Sequence, residues 1–298
     1  MAHPENSPSE LPRPAGRRAA GSAAAPPVSI LRDPEPARRS AAKARSLKQE
    51  YEEFILQRIE EFKEQLSRDE LLAVADEAVR ELEMGTEDQL VLTEVLVLEH
   101  VDRLITRRLH LPSYRRWRER HLRLRRAQRE PTHWGLDTGT PLEDLATRLE
   151  EGGLALVIGS GAVPAAFYLA AHDTEVLFID PVLTSVEAAE HRAAAEALGA
   201  HFQALVVSFE VWFPDVAPSL TVLDPLALGE LNPVLRHAVV ETIKDKTARG
   251  GAHLVLPSEP PAGVTPLAPE ALQAYYNGWM VERARRSAGT RWFLAYKP

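Results

Sequence analysis

Apolar residues change rhythm once along this chain, near residue 150. Before that point they recur at helical spacing. Leu47, Tyr51, Phe54, Ile55, Ile59, Phe62 and Leu66 follow one another at steps of 4, 3, 1, 4, 3 and 4, which lays one apolar stripe along a helix of 3.6 residues per turn. A second helix is predicted from about Asp69 through Leu72, Ala75, Val79 and Leu82. A third is predicted to open at Thr86, with Gln89 completing a capping box, and to run through Leu92, Val95, Leu98, Val101 and Ile105. Pro112 and Ser113 start a fourth, with Tyr114, Trp117, His121 and Leu124 on one side. A short helix is expected over 141–150.

After residue 152, apolar runs of strand length alternate with helical stretches. Segments 154–158, 175–180, 202–208, 220–224, 251–256 and 291–296 read as strands. Helices are expected after the first strand, over 185–198, over 232–248 and over 269–286. This alternation predicts an α/β fold: a Rossmann-like, doubly wound, mainly parallel sheet, preceded by an all-α helical domain. In such a sheet, ligands sit beyond the carboxyl ends of the strands.

Residues 1–40 follow neither rhythm. They hold eight prolines and no aromatic residue, and such a composition cannot bury enough apolar area to offset its ordering entropy. The expected organisation is therefore a disordered tail over 1–40, a helical domain over 41–130, a connector with a short helix over 131–152, and a Rossmann-like domain over 153–298.

Composition narrows the chemistry. The 298 residues include no cysteine, which excludes disulfides, thiolate metal sites and cysteine nucleophiles. Forty-three acidic residues against 35 basic ones give a net charge of -8, which argues against wholesale binding to nucleic acid. Charge is uneven, however: residues 103–129 hold eleven arginines against Glu119 alone. That run is either an anion-binding surface, with RNA as one partner, or a solvated helix paired with the acidic helices around it. No stretch of 18 apolar residues predicts a membrane span, and no apolar run follows Arg17-Arg18 to make a signal. A cytoplasmic location is the expectation. The ten histidines are scattered without ligand spacing, so no metal site is expected. No phosphate-loop motif with its lysine occurs.

The chemistry-bearing residues gather in the second half. Gly159-Ser160-Gly161 lies between a predicted strand and a predicted helix, where two glycines permit a tight turn and close approach of a ligand to the backbone. The helix that follows would offer its free N–H groups to that ligand. Asp180, before Pro181, ends the second strand 19 residues beyond Gly161. A carboxylate there can accept both hydroxyls of a ribose; the alternative is a turn or cap aspartate. Asp224 ends the fourth strand as a base or orienter, or as a cap before Pro225. Three aromatic groups stay open between stacking on a ligand and packing: His133-Trp134, the trio Phe209, Trp212 and Phe213, and the trio Tyr275, Tyr276 and Trp279. The proline-rich segment 257–269 is either a lid or a semi-rigid connector.

With its first loop, Phe178-Ile179-Asp180, Leu220 to Asp224 and the Gly250-Gly251 pair before the fifth strand, the segment 154–298 resembles the class I S-adenosylmethionine-dependent methyltransferases. The resemblance implies that Gly159, Ser160 and Gly161 line the methionine portion of S-adenosylmethionine. It further implies that Asp180 and Pro181 meet the ribose, that Ser208, Phe209 and Glu210 border the adenine, and that Asp224 faces the acceptor. The sequence departs at Val157, where that superfamily usually carries an acid, and at Leu226-Ala227, which lack the aromatic group of the amino-group methyltransferases. The stretch Gly159-Ser-Gly-Ala-Val-Pro164 is also similar to the first loop of nicotianamine synthases, which implies aminocarboxypropyl transfer from the same cofactor.

The sequence thus leads to a cytoplasmic S-adenosylmethionine-dependent transferase, foremost a methyltransferase acting on a small molecule, with the helical domain capping the site or forming a homodimer. Nicotianamine-synthase-like transfer, a non-catalytic binding or scaffold module, RNA modification and a nicotinamide oxidoreductase are the other readings.

Overall fold

A computed structural model describes residues 46–84, 93–149, 153–256, 267, 269–283 and 292–298. The expected tail over 1–40 and most of the proline-rich segment 257–269 lie outside the described residues. Four helices come first: α1 (Leu47–Gln65), α2 (Arg68–Met84), α3 (Glu94–Arg108) and α4 (Tyr114–Gln128). Ser46 and Gln49 form a reciprocal capping box on α1, and Ser67 with Glu70 does the same for α2. The predicted opening of the third helix at Thr86 lies outside the described residues. The described α3 starts instead after Thr93, whose hydroxyl accepts the Leu96 N–H. Ile59, Val74, Ala78, Val101, Leu104 and Ile105 form the core of these helices. The aromatic residues expected on one stripe meet across helices, with Tyr51 and Phe54 of α1 against Trp117 of α4.

A 3-10 turn over Pro131–Trp134 and α5 (Pro141–Leu149) lead into the sheet. Its strands are β1 (Leu154–Ile158), β2 (Glu175–Asp180), β3 (Phe202–Val206), β4 (Leu220–Leu223), β5 (Ala252–Val255), β6 (Met280–Arg283) and β7 (Phe293–Tyr296). They lie in the order β3-β2-β1-β4-β5-β7-β6. The first five are parallel, while β7 runs antiparallel to both β5 and β6. The fold is the expected Rossmann-like doubly wound sheet. The antiparallel β7 separates it from the all-parallel dinucleotide order, in which a second mononucleotide half follows the first.

Side chains of each strand alternate between two cores. Ala155 and Val157 of β1 face one, with α5, α6 (Val163–Ala171) and α7 (Leu183–Ala195). Leu156 and Ile158 face the other, with α8 (Pro225–Glu230), α9 (Pro233–Lys246) and α10 (Pro269–Gln273). Phe167, Phe178 and Phe293 are fully buried, each worth about 1.5–3 kcal/mol in burial. The helical half is tied to this layer through α4. Gln128, 2% exposed, donates to the Glu196 carbonyl at 2.8 Å and to its carboxylate at 3.0 Å, and Arg129 pairs with Asp173 at 2.6 Å.

Two elements differ from the sequence expectation. The helix expected over 269–286 ends at Gln273, and the chain then turns and becomes β6. Asn277-Gly278 is the breaker, with Gly278 at φ +83°, a conformation that favours glycine. The apolar spacing of Leu272, Tyr275, Tyr276 and Trp279 imitated a helix, although these residues pack from a short helix and a turn. Helix α8 was not expected at all; it is capped by Asp224, whose side chain accepts the Leu226 N–H at 2.9 Å, with Pro225 at its first turn.

Candidate functional site

The order of strands reverses between β1 and β4, so the crevice to examine lies beyond their carboxyl ends. Strand β1 stops at Gly159, which takes φ +92° and donates its N–H to the Ile179 carbonyl at 3.1 Å. Ser160 to Ala162 make one 3-10 turn before α6. Both glycines are required by what lies behind them. A Cβ at Gly159 would stand 2.6 Å from the Asp224 Cβ and 2.7 Å from the Ala227 Cβ; one at Gly161 would stand 2.6 Å from the Asp224 Oδ2.

Asp224 is the partner of that loop, 2% exposed. Its Oδ2 accepts the Gly161 N–H at 2.8 Å while its Oδ1 caps α8. Asp180, 4% exposed, accepts the Val182 N–H at 2.8 Å and the Ser160 N–H. Burial raises the Asp180 carboxyl above its ordinary value. The two N–H groups oppose that rise, and the negative charges of Asp224 and Glu230 add to it. The crevice therefore holds two buried carboxylates with a third acid near them. The N–H groups of the loop itself are committed: Gly161's to Asp224, Ser160's to Asp180 and Ala162's to the Gly159 carbonyl.

The remaining predicted residues lie along the same edge. Pro181 is exposed beside Asp180. Ser208 is exposed, and its carbonyl accepts the N–H groups of Val211 and Trp212. Phe209 packs partly buried against the second core, and Glu210 faces solvent. The Val207 N–H donates to the Asp180 carbonyl at 3.0 Å, which ties the start of this segment to the end of β2. Val157 is fully buried in the first core.

Several alternatives left open by the sequence resolve as packing. Trp134 is buried, donates its indole N–H to the Gln128 carbonyl at 2.7 Å, and meets Phe167 at 5.3 Å. Tyr276 is buried on the second core. Trp212 is 47% exposed at the carboxyl edge.

The sequence reading missed Leu136 as a site residue, while Leu256 ends the predicted fifth strand, whose following loop is one of those where a ligand is expected. With Gly161, Ala162, Asp224 and Pro225 they line a cavity of about 20 Å³ at the crevice. Leu136 follows the turn after Trp134 and had no motif to mark it. Glu230 was missed because α8 was missed. The Leu267 N–H donates to the Pro225 carbonyl at 3.1 Å, so the far end of the proline-rich segment returns to the start of α8. Among the described residues no group of side chains could hold a metal ion, and no helix is long and apolar enough to cross a membrane.

No family model matches the chain, and no curated protein matches it. Among solved structures it is similar to a candidate O-methyltransferase of Nostoc punctiforme, at 15% identity and a TM-score of 0.44, over 53% of this chain and 56% of that one. It is also similar to TehB of Haemophilus influenzae, at 18% identity and a TM-score of 0.41, over 54% and 64%. A third is the N-methyltransferase NodS of Bradyrhizobium japonicum, at 17% identity and 0.41, over 54% and 98%. The match spans less than two thirds of the first two structures.

Proposed function

We propose that the chain is an S-adenosylmethionine-dependent transferase that moves a methyl group to a small-molecule acceptor at the carboxyl edge of its sheet. The observation that carries this reading is Asp180. It is a buried carboxylate at the end of the second strand, beside a glycine-bearing first loop, at the point where strand order reverses. Its two oxygens keep acceptor capacity after taking two N–H groups, which suits a ribose diol. The cofactor supplies an electrophilic methyl group when bound. The chain's own part is to orient and to exclude water. Asp224 serves in this reading as the residue that fixes the loop against α8, with both oxygens engaged. The helical domain would cap the site or mediate dimerisation.

The cavity between the first loop, Leu136 and Leu256 is narrow. Its volume of about 20 Å³ is far below the roughly 300–1,000 Å³ of ligand pockets, and Val157 offers no acid for the amino group. This favours a second reading, a binding or scaffold module without turnover. Titration calorimetry with S-adenosylmethionine, alongside Asp180→Ala and a nicotinamide dinucleotide, separates the two. Binding that is lost in the Asp180→Ala variant, with S-adenosylhomocysteine formed once acceptors are supplied, supports the transferase. Methylthioadenosine as product moves it to aminocarboxypropyl transfer. Absence of binding at millimolar cofactor rejects the transferase and leaves the scaffold.

A further inference from the structure

Helix α4 presents two unlike sides. Trp117 and Gln128 are buried on its inner side, and His121 and Leu124 are half-buried beside them. The outer side carries Arg115, Arg116, Arg118, Arg120, Arg123 and Arg126, all exposed. Glu119 is the one acid on the helix, and it is bonded to Arg115 at 3.3 Å with both side chains in solvent. Arg125 and Arg129, at the inner margin, pair with Glu50 and Asp173. In α3, Arg107 and Arg108 pair with Glu81 and Glu77 of α2. The solvated-helix account therefore holds for these four. It leaves out Arg116, Arg118, Arg120, Arg123 and Arg126, for which the described residues provide no hydrogen bond and no ion pair.

The arrangement is unfavourable for the helix by itself. Arg116 and Arg120, Arg120 and Arg123, and Arg123 and Arg126 stand three or four positions apart with like charge, which destabilises a helix surface. Arg115 and Arg116 occupy the first turn, where the helix dipole favours acids, and Ser113 makes no side-chain cap. Helix α1 shows the ordinary solution in the same molecule. It has a capping box, Glu50 in its first turn, and the pairs Lys48–Glu52, Arg58–Glu61 and Glu60–Lys63. A local conflict of this kind, with no compensating contact in the fold, marks a surface that is completed by a partner.

We propose that the outer side of α4 binds the phosphate backbone of a nucleic acid. The charge is of one sign over a helix about 22 Å long, long enough to follow several successive phosphates. Guanidinium groups match phosphate oxygens in bidentate geometry. The surface is also connected to the crevice. Helix α4 packs on α6, which begins at the glycine-bearing loop, and the chain leaving α4 reaches the crevice at Leu136. The overall charge of -8 confines such binding to this face. The inference does not depend on the transferase reading, because its test reads binding alone.

The test uses the full chain and fluorescently labelled single-stranded RNA, single-stranded DNA and duplex DNA of about 20 nucleotides, with anisotropy read between about 50 and 300 mM salt. The expected result is binding to at least one polymer that weakens steeply with salt. The variant carrying Arg116→Gln, Arg120→Gln, Arg123→Gln and Arg126→Gln should lose at least about tenfold in affinity. It should also flatten the log–log salt slope by roughly three units, at about 0.7–0.9 for each phosphate no longer neutralised. Arg249→Gln, at an exposed arginine in the turn before β5, should change neither, and unchanged circular dichroism shows that the fourfold variant folds. The proposal is overturned by no binding to any of the three polymers at low salt, or by equal binding of the fourfold variant. It is overturned too if poly-glutamate displaces the nucleic acid at equal charge concentration, because the face is then an acidic-protein surface.

Discussion

Two buried polar clusters sit on the same sheet and obey opposite rules. One joins Asp180, Asp224 and the first loop at the β1–β4 reversal. The other joins His253 of β5, Thr247 after α9 and Tyr276 after α10, with His253 completely buried. In the second cluster every proton has a place. The Thr247 hydroxyl donates to the Ile243 carbonyl at 2.7 Å, so it accepts from His253 Nε2 at 2.7 Å. Nδ1 is then an acceptor, and Tyr276 donates its hydroxyl to it at 2.8 Å. All three groups are neutral. Burial, with Lys244 and Lys297 adding to it, lowers the His253 pKa to about 3, and burial pushes the Tyr276 phenol up. The first cluster instead sets like charges together. A satisfied neutral network holds two elements on a strand, whereas an acid pair at a strand-order reversal is a local violation that a fold keeps for use.

The largest test of this contrast is pH. His253 is neutral when folded and titrates near 6.5 when unfolded, so its contribution is complete above pH 6.5 and is lost as pH falls toward 3. The limiting loss is about 5 kcal/mol. Asp180 acts with the opposite sign. Its raised folded pKa means that protonation favours the fold, so stability is regained as pH falls through that value toward the unfolded 3.8. Urea melts of the wild type between about pH 7 and 4 should show falling stability that flattens in His253→Gln and steepens in Asp180→Asn. Identical slopes in all three would break the comparison.

Gly161→Ala comes next. Its Cβ would meet the Asp224 carboxylate, detaching two buried hydrogen bonds at once, with an expected cost of roughly 2–4 kcal/mol in thermal or urea unfolding. A cost near zero would mean that the loop and α8 give way together. Tyr276→Phe leaves the His253 Nδ1 without its donor and should cost about 1–3 kcal/mol; a neutral result would show that the ring finds another tautomer. The smallest expected stability effect is Asp180→Asn at pH 7, within about 1 kcal/mol. The amide still accepts an N–H and relieves repulsion from Asp224 and Glu230. The same substitution should abolish cofactor binding in calorimetry. Loss of stability with retained binding would reverse the roles assigned to the two clusters.

How much of this was legible follows from range along the chain. The alternation of strands and helices, the first loop and Asp180 are local patterns, and the sequence displays them. The bond from Gly161 to Asp224 spans 63 residues, and the one from His253 to Tyr276 spans 23. No spacing rule connects such pairs. His253 read as one more residue of an apolar strand, and Tyr276 as part of a helix that in fact ends at Gln273. The glycines were legible as a tight turn, but the group that crowds them was not. Their small size serves an aspartate from another strand. The arginine run was legible as charge, while its division into paired and unpaired members required the geometry of α2, α4 and Asp173.

The place of β7 between β5 and β6 constrains assembly as well as shape. Strand β6 precedes β7 in the chain, yet among the described strands its ladder partner is β7 alone. It reaches the rest of the sheet through β7, whose Phe293 to Tyr296 align on β5 in a pairing that closes a span of about forty residues. Such non-local closure carries an entropic delay. The amides of β6 should therefore be among the last in the sheet to gain protection from exchange during refolding, and until then the β5 margin is the molecule's open adhesive border.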